Sequence, residues 1–246
     1  MPNIVYYILS ALAVLITLTV HEYAHGYAAY KLGDPTAKNL GRLTLNPLRH
    51  LDPIGALCLV MFHFGWAKPV PVNLRNFKKP RRDFLITSLA GPLANIALAF
   101  ISSFFYLLLY ALLRDVEFKS TFILKIAENS LLFVYIFHLV NIGLGVFNLL
   151  PVPPLDGSRL LSVILPPKAY FNVMRHERKI YLGLILWLLV GNIAQRALLS
   201  ISFIASNPIL ATATRVLSLS DLLSTVFGFL SDAMMNFWQL IPFLKV

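Results

Sequence analysis

The sequence predicts an all-α polytopic membrane protein with about four to five transmembrane helices. Hydrophobic residues make up 58% of the 246 residues and charged residues only 13%, a balance well outside that of soluble domains. Several stretches also reach the roughly 20 apolar residues that a helix needs to cross a bilayer. The basic residues fall in short loops between these stretches, which is typical of membrane topology rather than of nucleic-acid binding. We therefore expect a lipid bilayer, and no nucleic acid, as partner.

Two of the predicted spans, residues 84–113 and 129–155, contain no formal charge, and each includes at least the roughly 20 apolar residues that a bilayer crossing requires. The fourth span is interrupted by Arg196, and the fifth is weaker because it carries Asp232. A helix lying in the membrane interface is the alternative for this fifth stretch. The predicted spans are residues 4–30, 84–113, 129–155, 180–205 and 222–244.

The connection between the first two spans predicts a small β-strand or re-entrant element. Residues 53–64 are apolar but too few to cross a bilayer, so they predict a re-entrant or interfacial segment. Residues 41–46 and 68–73 read as extended segments. We treat residues 1–246 as one integral membrane domain, with a catalytic core at 1–165 and accessory C-terminal helices beyond it.

Lysine and arginine counts predict the orientation. Residues 31–53, 66–82 and 157–179 hold four, six and five of the 21 basic residues, whereas residues 114–128 hold three basic and three acidic residues. Basic loops stay on the cytoplasmic side of a membrane. We therefore expect an amino terminus outside and the end of the first helix near the cytoplasm.

The end of that helix carries HEYAH at residues 21–25. Residues four apart lie on one helix face, so His21 and His25 can bind one metal ion. Glu22 can then act as general base on a water at that ion. The alternative is a buried polar patch, but three ionisable groups in lipid need partners and usually mark function. The motif predicts a zinc hydrolase site at membrane depth.

A catalytic zinc needs three protein ligands and one open position. The extended motif of soluble zinc peptidases would place a glycine and a third histidine where this chain has Ala28 and Lys31. The best candidate for the third ligand is Asp156, in PVPPLDG at residues 151–157. Its three prolines stop the third helix and fix an extended conformation. The alternative is a solvated aspartate at a helix exit.

Three blocks make the chain resemble the site-2 protease family of intramembrane zinc metalloproteases: HEYAH at 21–25, GPLAN at 91–95 and NLLPVPPLDG at 148–157. The resemblance loosely covers residues 4–165. Blocks GRLTLNP and FGWAKPVPVNLRNF between the first two spans are similar to the compact bacterial branch, in which the metal motif lies on the first helix. This branch implies a multi-pass protein of a bacterial cell membrane, without a PDZ or nucleotide-sensing domain.

The resemblance also implies roles for single residues. His21, His25 and Asp156 correspond to the ligands of one zinc ion per chain, and Glu22 to the catalytic acid–base. Asn148 matches the family asparagine that orients or stabilises groups at the metal. Without the resemblance, an interhelical hydrogen bond is an equal alternative for Asn148.

Two further polar features lie within predicted spans. In GPLAN, Gly91 and Ala94 are small enough for close helix contact and Asn95 can hydrogen-bond across it, so we expect packing against the metal-bearing helix. A direct role in substrate binding is the alternative. His138 has no partner at metal-ligand spacing, and we expect a hydrogen-bonded core histidine rather than a ligand.

Together these features predict a zinc metalloendopeptidase that cleaves transmembrane segments of membrane proteins, close to the cytoplasmic face. A substrate helix must unwind, and its exposed backbone must find partners. One of the two extended segments could supply them by β-augmentation, or the two segments could pair with each other. The competing class is a non-enzymatic zinc-binding transporter or scaffold.

Overall fold

The computed structural model describes residues 4–52, 68–200 and 219–245, and these residues confirm the all-α prediction, with no β-strand among them. The predicted re-entrant segment at 53–64 lies outside the described residues. Short 3-10 helices at Pro47–Arg49, Leu74–Asn76, Asp156–Leu160 and Pro242–Leu244 join the longer elements. The α-helices in chain order are α1 Ile4–Lys31, α2 Thr36–Asn39, α3 Pro80–Leu113, α4 Thr121–Leu149, α5 Leu161–Ile164, α6 Pro167–Arg175, α7 Glu177–Leu199 and α8 Leu219–Trp238.

Among the described residues, α1, α3 and α4 are long and apolar enough to cross a membrane. The predicted bounds of the third span were wrong, because α4 begins at Thr121 and ends at Leu149. A charge-free stretch marks only the part of a helix that suits lipid, and the first turns of α4 carry Lys125 and Glu128. Pro151 stops the helix at its other end. The predicted fourth span runs into residues beyond 200 that are not described.

The chain divides into two compact units, residues 1–145 with 231–246, and residues 146–230. In the first unit α1 packs along α3. The α4 helix is tied to α1 by the Asn141 side chain, whose Nδ2 donates to Thr17 Oγ1 at 2.9 Å. Both residues are fully buried. Helices in lipid associate through such close packing and buried hydrogen bonds rather than through hydrophobicity.

The C-terminal residues of the first unit pack on α3 and α4. His138 lies fully buried, with Nδ1 2.8 Å from the Ala99 carbonyl and Nε2 2.9 Å from Ser231 Oγ. This confirms the prediction of a hydrogen-bonded core histidine. Trp238 Nε1 donates to the Phe100 carbonyl at 3.1 Å.

The second unit has a small apolar core of its own. Leu155, Leu184 and Leu223 are buried together, so the residue before Asp156 is anchored between α7 and α8. Turn hydrogen bonds also hold this region, with Leu155 N–H donating to the Val152 carbonyl at 2.9 Å. The chain is therefore fixed immediately before the predicted third ligand.

Candidate metal centre

Two imidazoles converge at the end of α1. His21 and His25 are buried, and their Nε2 atoms lie 3.0 Å apart. The rings stand almost perpendicular, at 88°. Two imidazole nitrogens on one tetrahedral zinc would be about 3.3 Å apart, given Zn–N distances of ~2.0 Å. The pair therefore already has the spacing of two ligands of one ion.

His25 is held by the backbone of α3. Its Nδ1 lies 2.7 Å from the Thr87 carbonyl, and a carbonyl only accepts hydrogen bonds, so Nδ1 carries the proton. The neutral ring then presents the lone pair of Nε2 toward His21. Metal-binding histidines are usually fixed by such a bond from the other ring nitrogen. The two histidines therefore fit a metal ion in their spacing, and His25 also fits it in the position of its ring proton.

Gly91 makes room for both rings. A Cβ placed on it would overlap His25 Nε2 and would lie 2.6 Å from His25 Cε1 and 2.8 Å from His21 Cε1. These contacts are far too short for a real side chain. The prediction that GPLAN packs against the metal-bearing helix is confirmed, and the contact falls on the imidazoles themselves.

Asn95, one helical turn beyond Gly91, contacts His21. Its Nδ2 lies 3.0 Å from His21 Nδ1, and its Oδ1 is buried without a hydrogen-bond partner. Rotating the amide by half a turn would put Oδ1 on an Nδ1–H of His21, which would satisfy the oxygen and free Nε2 for a metal. The unpartnered oxygen is thus the acceptor that a metal-binding His21 needs.

Glu22 faces a different neighbour. Its Oε2 accepts a hydrogen bond from the backbone N–H of Val70 at 2.8 Å. Val70 belongs to residues 68–73, which form neither helix nor strand, and prolines at 69 and 71 remove the neighbouring donors. The side chain of the predicted acid–base is therefore oriented by a residue 48 positions away.

Asn148 and Asp156 belong to the second unit. Asn148 lies in the last turn of α4, and Asp156 is the first residue of the 3-10 helix Asp156–Leu160. Gly157 is required here, since a Cβ on it would collide with the backbone of Leu149 and lie 2.7 Å from the Leu150 carbonyl oxygen. The glycine lets the chain fold back tightly on the end of α4, directly after Asp156.

Comparison with known proteins identifies the family. The profile of Peptidase family M50, the site-2 protease family, matches residues 9–190. The chain belongs to Peptidase family M50. No solved structure matches the chain.

Named relatives agree with this assignment to M50. A Bacillus subtilis protein named "Putative zinc metalloprotease YwhC" is 44% identical over 172 residues, covering 68% of this chain and 76% of that protein. "Putative zinc metalloprotease Rip2" of Mycolicibacterium smegmatis is 33% identical, covering 63% of this chain and 56% of its own length. "Zinc metalloprotease MJ0392" of Methanocaldococcus jannaschii is 27% identical, covering 68% of this chain and 38% of its own length. Family and relatives place the chain among membrane metalloproteases, for which zinc is the implied metal.

Sequence reasoning missed three groups at this M50 site: the Thr87 carbonyl, the Val70 amide and the Asp34 carboxylate, which accepts a hydrogen bond from the nearby Asn73 N–H. The first two are backbone atoms and leave no trace in residue type. Asp34 offered a signal, because it is the only acidic residue between positions 22 and 52, within a basic loop.

Proposed function

We propose that this M50 chain is an intramembrane zinc metalloprotease that hydrolyses peptide bonds in or near transmembrane segments of membrane proteins. The observation that carries the proposal is the pair of buried imidazoles on an apolar helix, with Nε2 atoms 3.0 Å apart and Glu22 beside them. Buried ionisable groups at membrane depth are costly and are retained for function. In a member of a peptidase family, this arrangement of two histidines and a glutamate is best explained by metal-assisted hydrolysis.

His21, His25 and Asp156 would hold one zinc ion per chain. Two imidazoles and a carboxylate are a donor set that suits zinc and leaves a fourth position open. The tight turn at Gly157 and the anchored Leu155 support a fixed position for the Asp156 carboxylate. When bound, zinc supplies Lewis acidity, which polarises a peptide carbonyl and makes water more acidic.

The chain's own groups then carry the proton and the developing charge. Glu22 takes a proton from the attacking water and returns it to the leaving amine. The Val70 amide occupies Oε2, so Oε1 is the proton acceptor in this proposal. The Asn148 amide donates to the oxyanion that develops on the substrate carbonyl, an interaction worth about 2.7 to 4 kcal/mol where such donors have been removed.

The proposed protease also has a defined membrane topology. Residues 1–246 would form one membrane domain of four to five spans, with the amino terminus outside and the metal centre toward the cytoplasm, as the basic loops indicate. The unwound substrate would pair by β-augmentation with residues 41–46, forming a small β element. Support comes from the alternation of polar and apolar residues at 41–46, which is typical of a strand.

A paired measurement on Glu22→Gln tests this function. The variant should bind zinc like the wild type, because Glu22 is not a ligand, but cleave a helix-destabilised transmembrane reporter in proteoliposomes at least about 100-fold more slowly. Glu117→Gln, an exposed glutamate in the loop before α4, is the matched control and should cleave normally. Cleavage at the wild-type rate by Glu22→Gln would exclude the protease and favour a zinc-binding transporter or scaffold.

A further inference from the structure

Asp34 is a buried carboxylate that the proposed mechanism does not use. It follows Gly33, whose φ of 108° turns the chain after α1, and it is fully buried. Its Oδ2 accepts from the Asn73 N–H at 2.7 Å, and its Oδ1 accepts from Asn76 Nδ2 at 2.6 Å. The backbone N–H and the hydroxyl of Thr36 also donate to Oδ1. Asp34 therefore joins the end of α1 to residues about 40 positions away.

These hydrogen bonds keep the carboxylate charged. Burial by itself raises the pKa of Asp34, but the donors from Thr36, Asn73 and Asn76 outweigh it and hold the pKa below its usual range. An ionised acceptor makes stronger hydrogen bonds than a neutral one. The anchor on Asn73 is therefore firm at neutral pH.

Asn73 and Asn76, which Asp34 binds, lie at one end of a segment formed by residues 68–76. The opposite end of this segment is anchored as well. Arg42, itself buried, donates from Nη2 to the Lys68 carbonyl at 2.7 Å and approaches the Pro69 carbonyl at 3.4 Å. The Lys68 N–H donates to the His50 carbonyl at 2.8 Å. Both ends of the 68–76 segment are thus fixed by buried charged side chains.

Between the two anchors, Val70 meets the metal-bearing helix. Its N–H donates to Glu22, and a Cβ on Gly26 would lie 3.2 Å from Val70 Cγ1. Prolines on both sides of Val70 fix their φ angles and stiffen the backbone. Val70 lies only three positions before Asn73, which is at most about 10 Å of chain. A shift at either anchor would therefore move the amide that holds Glu22.

We propose that Asp34 and Arg42 are positioning residues, which anchor the 68–76 segment so that the Val70 amide holds the Glu22 carboxylate in one orientation. The inference rests on the proposed function, in which Glu22 moves the proton. Misplacing a reacting group by about 1 Å can cost about 100-fold in rate. Loosening either anchor should therefore slow the chemical step and leave zinc and substrate binding intact.

Asp34→Asn tests the first anchor. The new Oδ1 can still accept from Thr36 and Asn76, but the new NH₂ would face the Asn73 N–H, donor against donor. We expect kcat on the reporter to fall about 10- to 100-fold, with KM changed less than about twofold and zinc content unchanged. Asp115→Asn, at an exposed side chain, is the matched control and should match wild type. Arg42→Met tests the second anchor independently and remains informative if Asp34→Asn does not fold. We expect the same fall in kcat, again with KM changed less than about twofold and zinc content unchanged.

A second readout does not depend on activity. In a Cys58→Ser background, which removes the single cysteine, Val70→Cys reports access of a maleimide to the half-buried segment. Adding Asp34→Asn or Arg42→Met should speed labelling about tenfold or more, and Asp115→Asn should not.

The outcomes separate this inference from the proposed function. A wild-type chain that binds zinc but does not cleave contradicts both. Wild-type cleavage with unchanged kcat in both anchor variants overturns the positioning role alone, whether or not labelling changes. A rise in KM alone, or loss of zinc, would also overturn it, because the segment would then serve substrate binding or the general fold.

Discussion

At the scale of single residues, the candidate site depends on groups that surround the histidines as much as on the histidines themselves. The Thr87 carbonyl sets the proton position of His25, and Asn95 contacts His21. Gly91 leaves the space that the two rings occupy. Outer groups of this kind usually affect metal affinity 10- to 100-fold. Metal binding should therefore respond to changes on α3 that remove no ligand.

Gly91→Ala should weaken zinc binding by at least about 10- to 100-fold, because the new methyl group would occupy the space of both imidazoles. Alanine favours a helix over glycine, so α3 itself should remain intact. Chelator competition on the purified protein measures the change. Gly183→Ala, where a Cβ would meet nothing within 4 Å, is the control and should bind zinc normally. Equal affinities for the two variants would contradict the site geometry.

Asn95 provides a test of hydrogen-bond direction. Asn95→Leu keeps a similar volume but removes the acceptor for His21, and should lower zinc affinity about 10- to 100-fold. Asn95→Asp can accept from His21 Nδ1–H and should restore affinity to at least the wild-type value. If aspartate is as weak as leucine in the same competition assay, Asn95 acts in packing alone.

At the scale of elements, buried polar side chains fix the helices of the first unit to one another. Asn141 joins α4 to α1, and His138 joins α4 to both α3 and α8. Interhelical hydrogen bonds in membranes contribute about 0.6 kcal/mol on average and up to about 1.7 kcal/mol. The hydrogen bonds of Asn141 and His138 join helices to one another and do not go to His21 or His25, so helix packing and metal binding can be separated by mutation.

Ser231→Ala should therefore lower the free energy of unfolding by about 0.6 kcal/mol, because it removes one interhelical hydrogen bond. His138→Ala removes two such bonds and leaves a cavity, so its loss should be larger. Denaturant unfolding in detergent measures both, with zinc content as the companion readout. Loss of zinc from His138→Ala would contradict the assignment of this histidine to packing.

At the scale of the whole molecule, the sequence predicted the features that depend on spacing within a single helix. The four-residue spacing of His21 and His25 and the apolar run before them are local, so α1 and its pair of imidazoles followed directly. Contacts between distant segments, such as Val70 with Glu22, depend on tertiary packing and left no pattern. The start of α4 was missed because its first turns carry charges, which mark the edge of a bilayer rather than the end of a helix.

The proposed third ligand links these scales, because Asp156 lies 131 residues after His25 and would contribute to zinc binding only if the fold brings its carboxylate to the histidines. Zinc content of Asp156→Ala after dialysis against a chelator tests this claim most directly, with His138→Ala as control. The account predicts about one zinc per chain in wild type and in the control, and its loss in Asp156→Ala. Retention of stoichiometric zinc with wild-type affinity by Asp156→Ala would contradict it.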